Sequence, residues 1–167
     1  MDKLLGERGI LWGIRLDQTS PPIEPRRKAS FGEIKTADPA LAAAMGLPNP
    51  NEIQARLASG RRCLAARVDD KIVAYGWVSL TPEYIGEQER ELKVAQGEAY
   101  IWDCATLPEY RGARLYSALL SAILNTLRAE GLERAWIGAS VENRASLRGF
   151  ANAGSVTGRA SPGTRSS

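Results

Sequence analysis

A chain of 167 residues, 44% hydrophobic and 25% charged, has the composition of one ordinary globular domain. A net charge of +3 is too small for a dedicated nucleic-acid binder and suits an anionic ligand better. The chain has no histidine, which excludes Ser–His and Cys–His nucleophilic chemistry and leaves acid–base work to Asp, Glu, Tyr, Cys or water.

Cys63 and Cys104 stand apart in apolar, strand-like runs, and there is no CxxC pair. They read as buried free thiols of a reducing compartment, with no metal site. Met1 to Arg8 is too polar for a signal peptide, and no run approaches the ~20 apolar residues of a membrane span. The expected location is cytoplasmic, with neither membrane nor nucleic acid as partner.

In chain order, Trp12, Ile14 and Leu16 alternate as one face of a strand. Gln18 to Ser30 holds three prolines beside Arg26, Arg27 and Lys28, and reads as an irregular connector. Residues 1–30 are thus an N-terminal extension, either an edge strand with a linker or an oligomerisation arm for a homodimer. Phe31 to Thr36 alternates as a first core strand. Asp38-Pro39 is a helix N-cap followed by proline at the first helical position, with the helix ending at Gly46. Asn51 is a second N-cap for a helix over 52–59 that stops at Gly60.

Arg61 to Val68 and Lys71 to Thr81 form two strands joined at Asp69-Asp70, a β-hairpin. Thr81 to Gln96 is polar and holds Pro82 and Gly86, so it reads as a substrate-side lid, with a frayed helix at 87–94 as the alternative. Glu98 to Leu107 is a strand, 113–130 a helix with Leu115, Leu119, Ile123, Leu124 and Leu127 on one face, and Gly131 its terminator. Glu133 to Ala139 is a further strand, which makes a βαβ unit with the preceding two elements. Glu142 to Ala153 is a final helix, and 157–167 is a tail.

The stretch Pro108-Glu109-Tyr110-Arg111-Gly112-Ala113-Arg114-Leu115-Tyr116 sits between strand and helix. The first amides of a helix lack internal partners and carry the positive end of its dipole, so they bind anions without any side chain. Arg111 and Arg114 add formal charge beside them. This predicts a pyrophosphate site.

The element order β–α–α–β–β–β–α–β–α, with this Arg/Gly turn after the fourth core strand, resembles the GNAT superfamily of acyl-CoA N-acyltransferases. Ala105 to Leu120 is similar to the family's acetyl-CoA signature, and Asn143 to Gly154 is similar to its second cofactor segment. The resemblance covers residues 31–156. It implies an α/β (α+β) fold, a mixed central β-sheet flanked by helices, with the N-terminal extension and a short C-terminal end. It implies acetyl-CoA as cofactor, held by Thr106, Leu107, Arg111, Gly112, Ala113, Arg114, Leu115, Tyr116, Asn143, Ser146 and Phe150. It also implies direct attack by a primary amine of a small molecule or peptide on the thioester, with an oxyanion donor among the amides near Thr106 or Leu107.

The chain departs from the family pattern in several places, among them Tyr116 where the signature has glycine or alanine and Gly154-Ser155 where the family has Gly-Phe. Arg114 stands where the signature has glycine, and the helix already begun there would accommodate it. Phe150 stands where many members carry the tyrosine that protonates the departing thiolate. Only 13 residues follow Gly154, so the closing hairpin is short. Phe150 and the missing histidine keep open a non-catalytic acyl-CoA-binding module as the alternative.

For the base, Asp103 lies between Trp102 and Cys104 in an apolar strand, where burial would raise its pKa. Glu98 is the second candidate. Tyr100, Trp102, Trp77 and Tyr84 are candidates to line the acceptor pocket, with the core as their alternative place.

Overall fold

The computed structural model describes residues 11–17, 22–80, 83–84, 91–92, 96–138 and 156–158. Their elements are β1 (Leu11–Arg15), β2 (Ser30–Ile34), α1 (Pro39–Ala44), α2 (Asn51–Ala58), β3 (Arg62–Val68) and β4 (Lys71–Ser79). Then come β5 (Glu83–Tyr84), β6 (Glu91–Leu92), β7 (Glu98–Thr106), α3 (Leu115–Ala129), β8 (Arg134–Gly138) and β9 (Val156–Gly158). The fold is the expected mixture of helices with a mixed β-sheet: β7 and β8 pair in parallel, and the other described registers are antiparallel. The chain divides into two compact units, and β7 and α3 each run through both.

One unit holds Pro22–Val78 and Asp103–Ile123. Its strands β2, β3 and β4 form an antiparallel meander. The β3–β4 turn is Asp69-Asp70, at φ +50° and +66°. Two left-handed residues in a two-residue loop match the right-handed twist of the strands they join, as the hairpin reading requires. Asp38 caps α1 as expected, its Oδ1 accepting from the Ala40 N–H at 2.8 Å. α2 starts one residue early: Pro50 takes the cap position and Asn49 Oδ1 accepts from the Asn51 N–H at 3.0 Å. At Gly76 a Cβ would lie 3.0 Å from Ile123 Cδ1 and 3.1 Å from Cys104 Sγ. Glycine there lets α3 and the end of β7 approach β4 closely.

Residues 22–30 of the connector belong to this unit and are docked. The Ile23 N–H donates to Ser121 Oγ at 3.3 Å, and the Arg26 N–H to the Ala113 carbonyl at 2.8 Å.

The other unit holds 1–21, 79–102 and 124–167. Here β8 pairs with the first half of β7 on one edge and with β1 on the other. β1 in turn pairs with β9. Strand β1 is therefore not at an edge: both its edges are taken within the chain, so it offers no strand edge to a second copy as an oligomerisation arm. Its apolar face explains the position. Trp12, Ile14 and Leu16 are all buried, with Ile14 fully so, and a strand carrying three such side chains lowers the free energy most in an interior place. Gly97, Leu16 and the end of α3 are bound together. The Leu16 N–H donates to Glu133 O at 2.9 Å, the Glu133 N–H to Gly97 O at 2.7 Å, and Arg128 Nε to Leu16 O at 3.0 Å. Within the stretch read as a lid, with a frayed helix at 87–94 as the alternative, Glu83-Tyr84 pairs antiparallel with Glu91-Leu92, so residues 91 and 92 are extended and not helical; the rest of 87–94 lies outside the described residues. The expected helix from Glu142 to Ala153 lies outside the described residues.

Candidate active site

The site is built on the exit of β7. The Leu107 N–H donates to the Val73 carbonyl at 2.8 Å, which fixes the direction in which the chain leaves the sheet. Pro108–Tyr110 then makes one 3-10 turn, closed by the Tyr110 N–H to Leu107 O at 2.9 Å. Arg111 is extended, Gly112 has φ +84° and Arg114 has φ +59°. Only then does α3 begin, its ladder opening with the Ala118 N–H to Arg114 O at 3.0 Å.

So the helix starts at Leu115 and not at 113. Arg114 is not yet helical. It occupies the left-handed region that costs an L-residue about 1–2 kcal/mol and that glycine enters freely. This is the physical reason for a glycine at the matching place in the signature, and here arginine adopts the same backbone at that cost. At Gly112 an added Cβ would meet nothing within 4 Å. Its glycine serves the backbone angle and the open side above it.

Along the turn, Arg111, Gly112 and Arg114 are exposed, and Ala113 and Tyr116 are half-buried. Leu115 is 1% exposed and can offer a ligand only its backbone. Thr106 is buried, and its Oγ1 has no hydrogen-bond partner among the described residues. A buried hydroxyl without a partner at the head of a cationic turn fits a ligand that brings polar atoms of its own. The turn and Thr106 therefore suit a pyrophosphate-bearing cofactor with a polar arm. Leu107 is a different matter. Its N–H is already given to Val73, so an oxyanion donor must be another amide.

Asp103 departs from expectation. It has φ +44°, which breaks the alternation of β7 just past its last described pair with β8, Ile101 opposite Ile137. The side chain is turned out of the apolar strand: it is exposed, and it accepts from Arg56 Nη1 at 2.7 Å. Arg56 also binds Glu52 at 2.9 Å, one helical turn away, and its guanidinium lies 4.8 Å from the Trp77 ring centroid. A burial-raised carboxyl was expected from the apolar neighbours, and the kink in the strand removes that burial. The composition of the 98–107 run carries no sign of this kink.

Other candidates fall as follows. Glu98 opens β7 in the other unit, half-buried and in register with Arg134. Trp77 is buried under Arg56, so it is core. Trp102 Nε1 donates to Ser79 Oγ at 2.8 Å, and Tyr100 stands in register with Trp136. Cys63 is fully buried, and burial pushes its thiol up to about 12, while Cys104 is only half-buried. Burial likewise pushes the Tyr75 phenol up to about 12, with the Asp103 charge adding to it. Asn143, Ser146, Phe150 and the side chain of Tyr84 lie outside the described residues. Among the described residues no three metal-ligating side chains come together.

The sequence profile of the Acetyltransferase (GNAT) family matches residues 32–154, most of the chain. The chain belongs to the GNAT acetyltransferase family. It is an acyltransferase, an N-acetyltransferase by family. No curated protein matches the chain in sequence. Solved structures share the GNAT fold. One is an aminoglycoside acetyltransferase from an uncultured soil metagenomic sample, in complex with sisomicin (16% identity, TM-score 0.54, 75% of this chain and 86% of that one). Another is the ribosomal-protein-S18-alanine N-acetyltransferase of Escherichia coli (16% identity, TM-score 0.55, 76% and 77%). A third is an acetyltransferase of Clostridium acetobutylicum with acetyl-CoA (15% identity, TM-score 0.51, 74% and 88%).

Two features of this GNAT chain escape sequence reasoning. Arg56 gives itself away only as the second half of a Glu52–Arg56 pair at i, i+4, which predicts nothing about residue 103. The basic run Arg26 to Lys28 stands out as charge, but nothing in the sequence ties it to the turn.

Proposed function

We propose that the 107–116 turn holds the pyrophosphate of acetyl-CoA and that the chain passes the acetyl group to a primary amine of a small molecule or peptide. The observation that carries this is the pair of left-handed residues, Gly112 and Arg114, set between β7 and the start of α3 with cationic side chains on either side. Backbone amides presented this way at a helix start, with added positive charge, suit two linked phosphates. Acetyl-CoA would supply an activated thioester. Two GNAT neighbours act, by their names, on an aminoglycoside and on the alanine of a ribosomal protein, which frames the acceptor class as an amine. We place the protein in the cytoplasm, consistent with its free thiols; no helix among the described residues is long and apolar enough to cross a membrane.

On this reading Asp103 is the base. Arg56 fixes its carboxylate at a kink in the strand, open to solvent and within reach of an ammonium group. Asp103 draws in the acceptor as its cation and takes the proton directly or through water. Glu98 is the weaker candidate, since it faces Arg134 in the strand register. Tyr75 is a poor substitute for the acid missing at Phe150. The Tyr75 phenol, at about 12, gives up its proton less readily than a thiolate of pKa about 8.5 can use. On this reading solvent supplies the proton to the departing sulfur.

Release of free thiol from acetyl-CoA across a panel of amines tests the proposal. Cofactor should raise the unfolding midpoint as RT ln(1 + [L]/Kd) requires, and at least one amine should release thiol. Stabilisation with no turnover returns the non-catalytic alternative. No stabilisation removes the cofactor site. Asp103→Asn should lower kcat at least tenfold, with cofactor Kd unchanged; an equal change in both would make Asp103 a support of the turn.

A further inference from the structure

The segment 22–28 precedes the family-matched range, which begins at residue 32. It lies in the same unit as the turn and is tied to it at two points. The Arg26 N–H donates at 2.8 Å to the carbonyl of Ala113, the residue that separates Gly112 from Arg114. The Arg27 guanidinium lies 4.8 Å from the centroid of Tyr110, the last residue of the 3-10 turn. Lys71 Nζ is 5.6 Å from the same ring.

These contacts give Arg26 and Arg27 different parts. Arg27 is engaged in anchoring the strap to Tyr110. Arg26 is anchored by its backbone, and its side chain is exposed. Among the described residues, Arg26, Lys28 and Arg114 make no ion pair. Residues 22–28 and 107–116 together hold five cations and two acids, a surplus of three that equals the net charge of the whole chain, +3. Cations in surplus over the acids beside them repel one another, and an anion that joins them reduces that cost.

The strap also leaves the amides open. A trans peptide points its C=O and N–H in opposite directions. Arg26 takes the Ala113 carbonyl, so the N–H of the same peptide, that of Arg114, points away from the strap. An anion seated on the Arg114 amide lies on the far side from the Arg26 backbone, and the exposed Arg26 side chain is left for another anionic group.

We propose that Arg26 forms a second anion subsite, for a phosphate monoester carried by the same ligand whose pyrophosphate the turn holds. On coenzyme A that group is the 3′-phosphate of the ribose. The inference rests on the reading of the turn as the pyrophosphate site. It makes the strap a determinant of cofactor choice.

Calorimetric titration of the full chain with coenzyme A and with 3′-dephospho-coenzyme A decides it. The wild type should bind coenzyme A about tenfold more tightly, the worth of one charge-assisted hydrogen bond. Arg26→Gln should lose most of that preference and leave the affinity for dephospho-coenzyme A unchanged, while Arg26→Lys keeps part of it. Equal wild-type affinities overturn the subsite and leave the pyrophosphate reading standing. Arg26→Gln weakening both ligands alike makes the strap a diffuse field, and tightening both makes it a cover; either overturns the proposal. If neither ligand binds the wild type, the pyrophosphate reading fails and takes the subsite with it. The wild-type preference needs no variant, so it decides the matter should Arg26→Gln fail to fold.

Discussion

The strands around β1 and the turn after β7 spend their residues on opposite things. Around β1 the side chains are apolar and enclosed: Ile14, Ile101 and Trp136 have no exposed surface, and Trp12 and Leu16 have almost none. The turn buries almost nothing of its own between Glu109 and Arg114, holds two left-handed residues, and sets Arg114 beside Arg26, neither of which makes an ion pair among the described residues. One region lowers the free energy of the folded chain. The other raises it, through strain and like-charge repulsion, and holds that arrangement ready for an anion. A site that binds charge is for this reason poor in the interactions that stabilise a fold.

The largest effect should come from breaking the apolar region. Trp136→Ala should destabilise the protein by about 3–5 kcal/mol, read as a drop in the denaturant midpoint. At temperatures where the variant is still folded, its cofactor affinity should match the wild type. A selective loss of affinity would show that the two regions do not divide the work in this way.

Next comes Gly112→Asp. It forces a side chain into φ +84°, at about 1–2 kcal/mol, and sets a carboxylate among the ligand's phosphates. Cofactor should bind at least tenfold more weakly, well beyond the small loss of stability. Unchanged affinity would remove the turn as the site.

A smaller effect separates paired from unpaired charge. The guanidinium of Arg62, 2.9 Å from Glu33, and then Lys35, hold the Glu33 carboxyl below its ordinary value of 4.5. A carboxyl lowered in the folded state adds stability that is complete above pH 4.5 and is lost as pH falls through the folded value. Glu33→Gln should cost roughly 1 kcal/mol at pH 7 and flatten the decline in stability below pH 4.5 in acid titration by circular dichroism. An unaltered acid limb would mean that this pair contributes nothing to it.

The smallest is Arg114→Gly. It relieves left-handed strain of about 1–2 kcal/mol and adds backbone entropy to the unfolded chain of about 0.5–1 kcal/mol, so the unfolding midpoint should hardly move. Cofactor affinity should still fall a few-fold, because a cation is lost. A large rise in stability with unchanged affinity would show that Arg114 serves neither purpose.

Much of the fold is legible from local signals. Asp38-Pro39 marks the start of α1, and Asp69-Asp70 marks the hairpin. The face carrying Leu115, Leu119, Ile123, Leu124 and Leu127 is buried throughout, as its spacing requires. The turn after β7 is legible as an anion site for the same reason: a strand, a glycine and a helix start are all encoded within a few residues. What the local pattern misreads are the positions where the backbone leaves a regular path. Asp103 and Arg114 both take positive φ without being glycine, which turns one carboxylate out to Arg56 and delays α3 by two residues.

By itself, then, the sequence determined the element types and a cationic turn at the head of a helix. These follow from periodicity, caps and composition, all of which act between near neighbours. Only the tertiary structure decided that β1 lies between β8 and β9, that Arg56 holds Asp103, and that Arg26 is bound to Ala113. Those are contacts between residues far apart in the chain. They form where the burial of Ile14 and the satisfaction of backbone and charged groups outweigh the entropy of closing long loops, a balance that no short stretch of sequence contains.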